Sequence, residues 1–190
     1  ASAHAWAALL RPRPGDRWLL CVPLFHVAGL AIVTRATRWG ATLEAHDGFD
    51  PTAVSAAIDD GVTHLSLVPT QLLGLLAARA DRPPPSTLRA ILLGGGPMPA
   101  ELLIRTRAAG DPVLTTYGLT ETGSGVVSGG GDPLTLATPR TGKALPGVEL
   151  RIEPDGRADG AGEILVRGEM VFTGYLDDPA ATAERLRDGW

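Results

Sequence analysis

The chain has 190 residues, of which 44% are hydrophobic and 20% charged, and its net charge is −4. That is enough apolar material for a packed core, and it leaves no basic face for nucleic acid and no polybasic membrane anchor. The single cysteine, Cys21, excludes an internal disulfide; no Cys/His cluster suggests zinc, and no apolar run approaches the roughly 18 residues a transmembrane helix needs. No Lys/Arg-led signal peptide opens the chain, so the cytoplasm is the expected compartment. The 24 glycines and 16 prolines are spread between apolar segments and read as loop punctuation. Lys143 is the one lysine, so this sequence by itself excludes any mechanism that needs two.

In chain order, alanine-rich residues 1–10 are helix-compatible and Arg11-Pro-Arg-Pro-Gly15 ends them. Residues 17–22 (RWLLCV) form an apolar run of strand length, followed by a turn at Pro23–His26 and a helix from Val27 to Trp39 that Gly40 closes. Strand character returns at 41–45, 63–68, 89–93 and 113–116, with helical patterns at 50–61, 69–80 and 99–109 between the strands. Such alternation predicts an α/β fold: a mostly parallel sheet with flanking helices, its ligands beyond the carboxyl ends of the strands. The chemistry is therefore expected at Pro23–His26, Gly94–Pro97 and Thr116–Thr122. Residues 128–133 read as a flexible stretch. Residues 147–153 and 162–168 read as antiparallel strands, the start of a β-rich, barrel-like subdomain, and 178–187 as a last helix. A boundary is expected near residue 138, giving an α/β part over 1–138 and a partial β-rich part over 139–190.

Each strand-end segment has two readings. Thr115–Gly123 (TTYGLTETG) gathers hydroxyls, a ring, glycines and one carboxylate, the parts of a nucleotide site: a ring stacks on a base, hydroxyls donate to phosphate and a carboxylate holds Mg²⁺. It also fits a Gly/Thr-rich surface turn. Gly94-Gly95-Gly96-Pro97 permits close backbone approach but is not a Walker loop, because no Gly-Lys-Ser/Thr follows. His26 could line a pocket, act as acid or base, or serve as a hydrogen-bonded structural residue. Arg35, within an apolar helix, either snorkels to water or pairs with an anion such as a substrate carboxylate. Cys21 reads as a small buried apolar residue.

Taken together and in this order, PLFHVAG (23–29), LLGGGPMP (92–99), TTYGLTETG (115–123), TGKALPGVEL (141–150) and GEILVRGEMVFTGYLDDPAATAE (162–184) resemble the adenylate-forming, AMP-binding ligases, which include acyl- and aryl-CoA synthetases, luciferases and peptide-synthetase adenylation domains. The triple glycine and the arginine after His26 resemble the o-succinylbenzoate–CoA ligase branch of menaquinone biosynthesis. The resemblance implies an ATP-dependent ligase that converts a carboxylic acid to acyl-AMP and then, with coenzyme A, to acyl-CoA. It implies that Gly95, Gly96 and Pro97 wall the adenine and acyl pocket, that Tyr117 stacks on adenine, that Thr116 and Gly118 line the adenylate site, that Thr120 meets phosphate, and that Glu121 holds Mg²⁺. His26 would border the acyl pocket and thiol tunnel, and Arg35 would hold the substrate's carboxylate.

The family's Ser/Thr-Gly-rich loop with its lysine is not in these 190 residues, and neither is the Arg-Thr-Gly-Asp segment expected after Trp190 or the second catalytic lysine. The chain is accordingly expected to be the middle of a ligase, with little adenylation activity alone and self-association as a homodimer conceivable. Another aryl- or fatty-acyl-CoA ligase, a carrier-loading adenylation domain and a truncated, non-catalytic AMP-binding protein are the alternatives.

Overall fold

The structure is a computed structural model that describes residues 1–80, 82–129, 141–157 and 160–190. Helix α1 (Ser2–Leu10) leads into β1 (Arg17–Leu20). Then α2 (Val27–Trp39), β2 (Thr42–Ala45), α3 (Pro51–Asp59), β3 (His64–Leu67), α4 (Pro69–Arg79), β4 (Ala90–Leu93), α5 (Ala100–Ala109) and β5 (Val113–Leu119) alternate. A 3-10 turn (Thr120–Thr122) reverses the chain into β6 (Ser124–Gly129), and β7 (Lys143–Ala144), β8 (Glu149–Pro154), β9 (Gly162–Arg167) and α6 (Pro179–Arg185) follow.

The helix boundaries have local causes. The Asp50 side chain accepts a 2.7 Å hydrogen bond from the Ala53 N–H, with Pro51 at the first helical position. Asp178 does the same for Ala181 at 2.8 Å ahead of Pro179. These caps satisfy amides that a helix start leaves without partners. Gly40 ends α2 in the left-handed conformation that glycine adopts without a Cβ clash.

The larger sheet has the order β2-β1-β3-β4-β5-β6-β7. Neighbours from β2 to β5 run parallel, whereas β6 and β7 are antiparallel. Strand side chains alternate between faces, so two cores form. Leu19, Leu65, Ile91 and Leu93 pack under α3, α4 and α5. Trp18, Leu20, Ala90 and Leu92 pack with α1 and α2. With both faces covered, β4 is buried at every residue, as its unbroken apolar run AILL requires. Arg89 closes the bottom of the second core: its Nη1 meets both Asp16 oxygens at 2.6 and 2.7 Å, and its Nη2 donates to the carbonyls of Leu10 and Arg11.

The α/β fold and its mostly parallel sheet agree with the sequence expectation. Two details differ. The strand expected at 113–116 runs on to Leu119, because β6 turns back and pairs with it from Thr115↔Gly129 to Leu119↔Ser124. Half of the segment expected as a loop is thus strand. Ser128 and Gly129, expected to open a flexible stretch, close β6; both are buried. The rest of that stretch, and the boundary near 138, lie outside the described residues. β8 and β9 form the expected antiparallel pair as a separate two-stranded sheet, while β7 joins the larger one. Among the described residues, no helix is long and apolar enough to cross a membrane.

Candidate nucleotide and acid site

The carboxyl ends of β1, β3, β4 and β5 converge on a cavity of about 140 Å³. Val22, Ser66 to Val68, Gly94, Gly95, Thr116 and Gly118 line it from the strands, Val27, Ala28 and Arg35 from α2, and Trp6 from α1. This is the location at which open α/β sheets hold ligands.

The buried stripe of α2 consists of Gly29, Ala31, Ile32, Arg35 and Ala36, so helical periodicity carries Arg35 inward with the apolar residues. Its exposure is 2%. It therefore does not snorkel. Nε and Nη2 are buried without a hydrogen-bond partner, and burial lowers its pKa to about 9, which leaves it charged at neutral pH. No carboxylate among the described residues is paired with it. A buried cation without an anion is expensive, and here it borders a cavity.

The β5–β6 hairpin gives the cavity its floor through two close backbone approaches. A Cβ on Gly118 would meet the Ser124 carbonyl oxygen at 2.1 Å, and a Cβ on Gly125 would meet Trp6 Cζ2 at 2.7 Å. Only glycine fits either position. The Thr116 hydroxyl donates to the Leu93 carbonyl at 3.3 Å and ties β5 to β4 below the Gly94 turn.

A second group of residues lies beyond the hairpin tip. Thr120 is exposed and Glu121 half-buried on the 3-10 turn. The Tyr175 hydroxyl donates a 2.6 Å hydrogen bond to Glu121 Oε1, and the Phe172 N–H donates to the Glu121 carbonyl at 2.7 Å. The hydrogen bond to Glu121 raises the Tyr175 pKa above that of an ordinary phenol. Among the described residues no three His, Cys, Asp or Glu side chains gather into a metal cage. Thr120 and Glu121, neighbours on this turn, are residue types suited to Mg²⁺ that arrives on phosphates, since this ion keeps few protein ligands. Gly96, exposed, has nothing within 4 Å of where a Cβ would be, so a flat base has room to approach the backbone there.

Of the residues singled out in the sequence, Arg35, Gly95, Thr116 and Gly118 come together on the cavity. Gly96 and Pro97 lie on the exposed turn above it. His26 is exposed at the N-cap of α2, its ring 4.7 Å from that of Phe25, and it is not among the cavity's lining residues. The Tyr117 ring is half-buried and packs with the cluster around Val126, Val127 and Val166. Burial, with the Glu163 charge, raises its pKa. Cys21 is buried and its thiol is pushed up to about 12, which excludes a thiolate nucleophile at neutral pH.

Two residues were missed by sequence reasoning. Trp6 sits in a helix whose alanines hid its importance. Tyr175 lies in the GYLDDP segment that carries the family resemblance, which is the signal that could have found it.

Comparison with known proteins identifies the family of the fold. Residues 1–176 match the family described as AMP-binding enzyme. The chain is 39% identical over 194 residues to the 2-succinylbenzoate–CoA ligase of Bacillus cytotoxicus, covering 100% of the chain and 40% of that protein. It superposes with a TM-score of 0.90 at 35% identity on o-succinylbenzoate CoA synthetase (MenE) from Bacillus subtilis in complex with the acyl-adenylate intermediate OSB-AMP. The same synthetase in complex with ATP and magnesium ion gives a TM-score of 0.90 at 36% identity. Both superpositions cover 100% of this chain and 40% of the other. The chain thus spans 40% of the length of these relatives.

Proposed function

The chain belongs to the AMP-binding enzyme family, and from that membership we propose that it is the central part of an ATP-dependent acid–CoA ligase whose acid is o-succinylbenzoate. The observation that carries the choice of acid is Arg35, a buried guanidinium on the wall of the strand-end cavity with no carboxylate paired to it among the described residues. An acid with two carboxylates offers one to Arg35 and one to the chemistry. A long-chain fatty acid would leave the cation unpaired and meet a wall at α2.

Two half-reactions follow. The substrate carboxylate oxygen attacks the α-phosphorus of ATP, an O–P bond forms, and pyrophosphate leaves with the electrons of the bond it breaks. The sulfur of coenzyme A then attacks the acyl carbon of the mixed anhydride, AMP leaves, and the thiol proton goes to solvent. The first step brings two anions together, so charge must be offset where it develops. We assign Glu121 and Thr120 to Mg²⁺ and phosphate contact, and Mg²⁺ bound there would offset charge on the ATP oxygens. Gly95, Gly96 and Pro97 give the nucleotide a backbone wall. We assign Tyr117 to stacking on adenine, and Thr116 and Gly118 to bordering the adenylate. Arg35 binds and orients the acid, and His26 stands at the outer end of α2 where the thiol would arrive. The reaction belongs in the cytoplasm, where ATP and coenzyme A are supplied. We propose that the chain divides near residue 138 into an α/β unit and a β-rich unit, with β7 reaching back to the edge of the larger sheet. Apolar faces that would pack on the remaining segments of the enzyme are the ground for a homodimer, and sedimentation of the full-length protein tests it.

The test is pyrophosphate release by the full-length protein with ATP, Mg²⁺ and o-succinylbenzoate, followed by thioester formation on adding coenzyme A. Turnover with o-succinylbenzoate and not with benzoate or a fatty acid supports the proposal. Turnover with one of those acids moves the chain to another ligase branch. AMP binding with no turnover on any acid favours a non-catalytic nucleotide-binding protein.

A further inference from the structure

Among the described residues no anion is paired with Arg35 to offset its burial, and two indole rings lie against it. Its Cζ lies 4.8 Å from the centroid of the Trp6 ring and 5.9 Å from that of Trp18. Nε and Nη2 are closed off from solvent and have no hydrogen-bond partner among the described residues, and a guanidinium presents planar donors that match the two oxygens of a carboxylate. A cation over an indole face is attracted by the ring's quadrupole, which favours one placement of the guanidinium over the ring. The ring is itself locked in place. Trp6 is 1% exposed, and its Nε1–H donates a 3.0 Å hydrogen bond to the Gly125 carbonyl, 119 residues away. Glycine at 125 leaves the space in which the indole lies. Trp6, Gly125 and Arg35 all border the same cavity.

We propose that Trp6 is a positioning residue for acid recognition: seated on Gly125, its ring holds the Arg35 fork in the orientation that receives the substrate's non-reacting carboxylate. This rests on the reading of Arg35 as the carboxylate ligand, and the two are separable by experiment. In the full-length ligase, Trp6→Leu and Trp6→Phe are each made alone and in an Arg35→Leu background, and KM for o-succinylbenzoate, KM for ATP and kcat are measured for pyrophosphate release. Trp6→Leu is expected to raise KM for the acid about tenfold, with KM for ATP and kcat within about threefold. Trp6→Phe, which keeps a ring face and loses the N–H, recovers most of that loss. In the Arg35→Leu background Trp6→Leu changes KM for the acid less than about twofold, because there is no fork left to position.

Where Trp6→Leu does not fold, Gly125→Ala replaces it. Its methyl displaces the indole and predicts the same rise, abolished in the same background. A rise of equal size with and without Arg35 overturns the proposal, as does an effect on kcat or on KM for ATP alone. Equal losses in Trp6→Leu and Trp6→Phe also overturn it, since the hydrogen bond to Gly125 would then matter and the ring face would not. An unchanged KM in Arg35→Leu itself overturns the underlying reading of Arg35, and the positioning role with it.

Discussion

The hydroxyl of Tyr175 and the carboxylate of Glu121, 54 residues apart, are joined by a 2.6 Å hydrogen bond that ties the loop before α6 to the turn after β5. The bond occupies Oε1, holds the carboxylate in one rotamer and leaves its other oxygen for a cation. Tyr175→Phe removes the donor and keeps the ring, which packs edge-on against Phe172 at 4.8 Å. In the full-length ligase this variant is expected to raise the Mg²⁺ concentration for half-maximal pyrophosphate release about fivefold, with KM for the acid unchanged. Mn²⁺ binding followed by electron paramagnetic resonance weakens in parallel, and an unaltered metal requirement contradicts the assignment.

Arg35 sets function against stability. Replacing a buried, unpaired cation by an apolar side chain of similar bulk is neutral or stabilising, by up to roughly 2 kcal/mol. Losing a charge-assisted fork to substrate costs about 2 kcal/mol of binding, or roughly thirtyfold. Arg35→Leu is therefore expected to melt no lower than the wild type and to have a KM for the acid at least tenfold higher. A lower melting temperature with unchanged KM would make Arg35 a structural residue.

His64 predicts the acid limb of the stability profile. The ring is 1% exposed, stacks on Trp18 at 4.8 Å, and has Nε2 buried without a partner. Burial lowers its pKa from 6.5 to about 4. The unfolded chain then takes up a proton between about pH 6.5 and 4 that the folded one refuses, so stability is fully present above pH 6.5 and falls as the pH drops through that window. At about 1.4 kcal/mol per pH unit, the loss is at most about 3.5 kcal/mol. His64→Phe keeps the stack and flattens this limb, which melting curves at pH 7, 5.5 and 4.5 would reveal.

Asp16 and Arg89 form the buried pair at the base of the second core. Burial alone would raise the Asp16 carboxyl, but the Arg89 guanidinium and the Arg13 N–H hold it below the ordinary value. Arg89→Leu strands that carboxylate and frees the carbonyls of Leu10 and Arg11, at an expected cost of about 3 kcal/mol. Adding Asp16→Asn recovers part of it. Denaturant midpoints of the two variants check this, and equal midpoints would mean that the stranded charge is not the cause.

The alternation of β and α elements was legible because a parallel sheet covered on both faces demands continuous apolar strands: RWLL, HLSL and AILL have no other place to go. The strand ends were legible for the same reason, and with them Gly95, Thr116 and Gly118. The extension of β5 was not, because its outer residues Tyr-Gly-Leu lack an apolar run and are strand only by virtue of β6. Trp6 and Gly125 were hidden for a related reason. Their contact spans 119 positions, and each alone looks like an ordinary helix aromatic or an ordinary turn glycine. Arg35 was visible as an anomaly, but whether it snorkels or stays inside depends on the rotation of α2 against α1, which only packing decides.

The most direct measurement is ATP–pyrophosphate exchange by the full-length protein, comparing o-succinylbenzoate with its analogue in which the non-reacting carboxylate is replaced by hydrogen. Exchange with the dicarboxylate, and at least tenfold weaker half-saturation with the analogue, is the predicted result. Equal half-saturation by both acids, or exchange with neither, would contradict an acid–CoA ligase that recognises its substrate through Arg35.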